Sequence, residues 1–237
     1  MGNIRLRLAF MLFFFVVGVI QFGLVGGAYY TMEMKDADKD NAKRVMPAIT
    51  KLANSLEEEV VKRHIDSKER DRDFERTQEH FRQIAELTNA EAVYLMVPYR
   101  DTVWEYVYDS SNEDVLGSED NLDDVGAWIP PSVLDAVKEG KTVYSPLHHS
   151  QEYGWLSTSF SPVRGKDGHI YAVVGIDVGR ESLRAPVIAG LRELAFRFWT
   201  IMLINILLFD LMFGRKCCGT RFKFLRDKED GCYEAKD

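Results

Sequence analysis

The stretch from Thr31 to Glu193 contains no cysteine; the chain's three, Cys217, Cys218 and Cys232, lie in its C-terminal tail. A domain in that stretch has no disulfide framework and must rely on its core. The stretch also lacks an Asn-x-Ser/Thr glycosylation acceptor, which fits a bacterial source. The whole chain lacks the Gly-x-Ser-x-Gly, His-Glu-x-x-His, phosphate-loop and dinucleotide fingerprints, so neither an enzyme nor a cofactor is expected. His148 and His149 with Glu152 do not make a metal site, because neighbours on a strand point to opposite faces. The acidic run from Asp109 to Asp124 lacks the Asp-x-Asp-x-Asp-Gly order of a calcium loop. Positive charge is scarce as well: residues 31–193 hold 20 Lys plus Arg against 31 Asp plus Glu, a net −11 that disfavours nucleic acid as a partner.

Two apolar runs stand at opposite ends. Leu8 to Tyr30 is 23 residues without a formal charge, enough at 1.5 Å per residue to span about 30 Å of hydrocarbon. A secretory signal is the alternative, with Gly26-Gly27-Ala28 as cleavage site, but signal cores run only about 7–15 residues. The second run, Leu194 to Phe213, carries Arg197 near its start, Asn205 in its middle and Asp210 near its end. Thirteen of the sixteen residues from Phe198 to Phe213 are apolar and leave no polar face. Trp199 suits an interfacial anchor, and Arg215 with Lys216 a basic stop.

Arg5 and Arg7 precede the first run, and Arg215, Lys216, Arg221, Lys223, Arg226 and Lys228 follow the second, so both ends are expected in the cytoplasm. The expected organisation is a cytoplasmic N-terminus (1–7), a first transmembrane helix (8–30), an extracytoplasmic domain (31–193), a second transmembrane helix (194–213) and a short basic cytoplasmic tail (214–237). That is a multi-pass protein of the cell's inner membrane. Gly23 and Gly27 form a Gly-x-x-x-Gly step that suggests a homodimer.

Within the central stretch, Val45, Ile49, Leu52, Leu56 and Val60 recur at helical spacing, continuing the first span. A second helix is expected over Asp71 to Thr88, with Phe74, Phe81, Ile84 and Leu87 as its apolar stripe and an end near Asn89. The charged stretch Asp66 to Glu75 reads as a solvated turn. Ala92–Val97 and Val103–Tyr108 read as a hairpin. A short helix, Ser132 to Lys138, follows Pro130-Pro131 and ends at Gly140. Strands at Thr142–Pro146, Gly154–Val163 and His169–Val178 complete an α+β set, the last two joined by the turn Gly165-Lys166-Asp167-Gly168.

The run Gly154-Trp155-Leu156-Ser157-Thr158-Ser159-Phe160-Ser161-Pro162-Val163, the turn after it and Ala172-Val173-Val174-Gly175-Ile176-Asp177-Val178 resemble the closing half of a Cache domain, the extracytoplasmic PAS-like sensor of bacterial receptors. The likeness covers about residues 40 to 185 and implies a single Cache unit. The fold it implies is a PAS-like five-stranded antiparallel sheet with long N-terminal helices, here flanked by two transmembrane helices. The function it implies is signal input: binding a small organic acid or amino-acid-like molecule and relaying the event through the membrane helices. Asp177 alone falls on a position of the family's amino-acid signature.

Strand alternation puts Trp155, Ser157, Ser159 and Ser161 on one face, which either lines a pocket or meets solvent. Tyr106, Tyr108, Tyr144 and Trp104 are candidates for an aromatic wall, filling the core being the plainer role. Arg100, at the hairpin turn, is a candidate partner for a ligand carboxylate or a surface arginine. The candidate ligand residues are therefore Asp177, Trp155, Ser157, Ser159, Tyr106, Tyr108, Arg100 and Tyr144. Only 24 residues follow Phe213, so a truncated receptor, or one acting through another signalling membrane protein, is expected. The rival function is a structural or assembly subunit whose PAS-like domain binds another exported protein.

Overall fold

The computed structural model describes residues 2–98, 103–121, 135, 138–150 and 153–229. Helices α1 (Gly2–Ser55), α2 (Glu58–Ser67) and α3 (Arg72–Thr88) precede strands β1 (Ala92–Pro98), β2 (Val103–Asp109), β3 (Glu119–Asn121), β4 (Val143–Ser150), β5 (Gly154–Arg164) and β6 (Ile170–Gly179). Helix α4 (Arg180–Glu229) follows β6 without a break. Most of the expected helix from Ser132 lies outside the described residues, as does Arg100.

The chain divides into two compact units. The first holds residues up to Thr31 and from Ile188 onward. In it, Phe22 meets Phe198 with ring centroids 5.2 Å apart, and Phe15 meets Trp199 at 5.7 Å. A β-carbon at Gly18 would touch Met202, and one at Gly26 would touch Leu191, whereas Gly23 and Gly27 have open space around them. Glycine thus lets the two helical segments approach at Gly18, not at the step expected to mediate dimers. Large apolar side chains cover the outside, with Leu8, Leu24 and Phe196 at least 70% exposed.

The second unit, Met32–Val187, is built on one antiparallel sheet in the order β3-β2-β1-β6-β5-β4. The five expected strands are present. The sixth, β3, is an edge strand inside the expected acidic loop; it pairs Val103, Trp104 and Glu105 with Asn121, Asp120 and Glu119. No apolar pattern marks it, because backbone pairing alone defines it.

One face of the sheet carries α2 and α3. Phe74 and Phe81 of α3 are fully buried and flank the ring of Tyr108 at 5.2 and 5.3 Å. Asp71 caps α3 by accepting the Phe74 amide at 2.8 Å, and Asn89 closes it in the left-handed conformation. The same Asp71 carboxylate accepts from Nε2 of His64 at 3.0 Å, while Nδ1 of His64 lies 2.7 Å from the Tyr108 hydroxyl. The expected solvated turn therefore holds a cap and ties a fully buried imidazole to two elements. Leu87, expected on the apolar stripe, is 79% exposed instead.

Helix α1 reaches the β4–β5 side of this face. Thr50 lies 3.4 Å from Thr142, which lies 3.1 Å from Ser161, and Asp38 accepts the Leu147 amide at 3.0 Å. Ser157, Ser159 and Ser161 are buried in this region, where small side chains let a helix lie close.

Candidate functional site

The opposite face of the sheet is left for a cavity of about 790 Å³ within the second unit. Its floor comes from three adjacent strands. On β1, Ala92 and Tyr94 point to this face; their register partners on β6 are Asp177 and Gly175, and Tyr94 faces Asp109 of β2. Tyr94, Met96, Phe160 and Val173 form a buried apolar cluster beneath, with Tyr106 and Trp104 against it. Tyr106 meets Tyr94 edge-on at 5.6 Å.

A bulge decides which tyrosine reaches the cavity. Met96 pairs with Tyr106 but Leu95 pairs with Tyr108, so Val107 is the extra residue and the alternation of β2 breaks there. Tyr106 lines the cavity, and Tyr108 turns to the helices. A second bulge, at Tyr171, removes that residue from the Val173, Gly175, Asp177 row in which simple alternation would place it.

Asp177 is half-buried at the end of β6. The Tyr94 hydroxyl donates to its Oδ1 at 3.4 Å. Burial pushes the Asp177 carboxyl up to about 7; the Thr158 and Tyr94 hydroxyls oppose the rise and the charge of Asp109 adds to it. Thr158, its register partner on β5, is fully buried. Its hydroxyl faces that carboxylate and favours the charged form. Burial also raises the Asp109 carboxyl, against the amide and hydroxyl of Ser111, which both donate to its Oδ1 at 2.8 Å. Tyr94 is held well above the usual phenol range by burial and the nearby Asp177 charge.

The rim is acidic. Glu91, Glu119 and Glu181 join Asp109 and Asp177, against one cation, Arg180, among the described lining residues. The Arg180 guanidinium lies 5.4 Å over the Trp155 ring. Trp155 and Leu156 both line the cavity from the start of β5.

Of the eight candidates from sequence, Asp177, Trp155 and Tyr106 meet at this cavity. The register puts Ser157, Ser159 and Tyr144 on the opposite face: Ser157 and Ser159 pair with Val178 and Ile176, and Tyr144 pairs with Ser159. Neither a pocket nor solvent receives the two serines, since both are 2% exposed. Tyr108 is core, and Arg100 lies outside the described residues. Tyr94, Asp109 and Arg180 also line the cavity and were not among the candidates from sequence. Asp109 was legible only as one acid in a loop, and its place depended on the bulge.

No family model matches the chain, and no curated protein matches it. Solved structures do. One is the ligand-binding domain of the Campylobacter jejuni chemoreceptor Tlp3 in complex with L-norvaline, at 16% identity and a TM-score of 0.41, covering 68% of this chain and 63% of that one. Another is the sensor domain of the V. cholerae histidine kinase DctB, at 13% identity and a TM-score of 0.43, covering 69% of this chain and 59% of that one. The chain thus spans less than two thirds of the length of either.

Proposed function

We propose that the chain is a membrane-anchored sensor whose second unit binds, outside the cytoplasm, a small molecule bearing a positively charged amine. The observation that carries this reading is the Asp177 carboxyl beside the Tyr94 hydroxyl on the floor of an acidic, aromatic-walled cavity. An ammonium group gains a charged hydrogen bond there, whereas an organic acid meets an excess of carboxylates. The organic-acid half of the expected ligand class is therefore set aside.

Relay has a covalent basis in this reading. Asp177 stands three residues before Arg180, which both lines the cavity and opens α4. A ligand that draws Asp177 acts at the root of that helix.

Anchoring is supported by α1, which from Leu8 has a mean hydropathy of 2.6 over its most apolar window and is 6% buried there. Among the described residues, it is the one helix long and apolar enough to cross a membrane by that measure. The second span, over 194–213, and a cytoplasmic location for both ends are part of the proposal and rest on the flanking basic residues. Single reporter cysteines at Ser118 and Thr220 test them: a membrane-impermeant reagent should label the first and spare the second in intact inner-membrane cells. Equal labelling contradicts the topology.

Binding is tested by thermal unfolding of the full chain in detergent with a panel of primary amines, amino acids and matched carboxylic acids. A ligand that binds only the folded state stabilises it by about 2.7 kcal/mol at one hundred times its Kd. Amine-bearing compounds should raise the midpoint and plain carboxylic acids should not. No shift with any small molecule would favour an assembly subunit instead.

A further inference from the structure

The cavity offers two carboxylates where one ammonium needs one. Asp109 and Asp177 stand on strands that flank β1 on either side, in register with Tyr94 and Ala92 respectively. Two strand spacings and a two-residue offset put their α-carbons on the order of 12 Å apart, with Tyr94 between them. Strand side chains stand roughly perpendicular to the sheet, so the two carboxylates stay well separated, with room for a short aliphatic chain bearing a nitrogen at each end. The edge-on rings of Tyr94 and Tyr106 give such a chain an apolar surface.

Charge points the same way. The described lining holds five carboxylates and one guanidinium, and that guanidinium is already stacked over Trp155. A zwitterionic ligand brings no net charge to offset this excess.

We infer that this site selects a diamine, with one ammonium group at Asp177 and the other at Asp109, over a monoamine or an α-amino acid. The inference rests on the proposed sensor reading and narrows its ligand class.

Calorimetric titration of the full chain in detergent with 1,4-diaminobutane and with butylamine tests it. The diamine should bind at least tenfold more tightly than the monoamine. Asp109→Asn, which keeps an acceptor for Ser111, should erase that advantage; its unfolding midpoint is measured alongside. The comparison in the unmodified chain stands alone if the variant does not fold. Equal affinity for the two amines overturns the diamine inference and leaves the sensor reading in place. Binding of neither amine, together with no shift by any amine-bearing compound, overturns both.

Discussion

The ring of Tyr94 occupies the space that a β-carbon at Gly175 would need, on the strand paired with its own. Glycine is thus required at that register position for a tyrosine to lie across β6 and carry its hydroxyl to Asp177. Gly175→Ala should force the ring aside and cost about 1–3 kcal/mol, the usual range for overpacking. Chemical denaturation of Gly175→Ala, Tyr94→Ala and the double variant tests the relationship as a cycle. The cost of the alanine should largely vanish when Tyr94 is already gone; additive costs would show that the two do not meet.

Asp177 also makes a prediction about pH. Its folded carboxyl titrates near 7 and an unfolded one near 4, so between those values the folded state holds more protons. Stability from this group is therefore present at low pH and lost as pH rises from about 4 through 7. Three pH units correspond to about 4 kcal/mol, and water in the open cavity reduces this to on the order of 2. Asp177→Asn should flatten that part of the profile and make the protein more stable than the parent at pH 8. A parent profile that rises over the same interval in step with the variant would contradict the assignment.

Apolar periodicity was enough to read α3 and the five main strands. Phe74 and Phe81 recur at helical spacing and are both buried, and the Gly165–Gly168 turn closes where its two glycines predict, with a Gly168 amide to Gly165 carbonyl bond of 2.9 Å. The faces of the strands were harder to read. Alternation alone cannot reveal the bulge at Val107, so Tyr106 and Tyr108 looked equivalent and are not. Nor can it say which face of β5 a helix covers, and the serines that looked like pocket or surface are buried instead. Asp177 stands out in the sequence only through the family resemblance. Tyr94, which donates to it, and Asp109, farther along the cavity, come from other strands, and only the pairing of β1 with both β2 and β6 sets them in one site.

The helix side of the sheet provides an independent test of packing. Phe81 is fully buried against Tyr108, so Phe81→Ala should cost about 3–5 kcal/mol. Tyr108→Phe keeps that packing but removes the hydroxyl from Nδ1 of His64, 2.7 Å away, and should cost about 1–3 kcal/mol. Urea unfolding of both variants measures these; a loss below about 1 kcal/mol for Phe81→Ala would contradict the burial of the α3 stripe.

The most direct measurement is calorimetric titration of an amine that raises the unfolding midpoint, into the parent chain and into Asp177→Asn. The substitution preserves shape and much of any capping of α4, so the variant should fold. Binding to the variant should weaken by about 1.5–3 kcal/mol, the worth of a hydrogen bond to a charged group. Full affinity in a folded Asp177→Asn variant would contradict it, leaving Asp177 as a local support for the start of α4 and placing the ligand elsewhere.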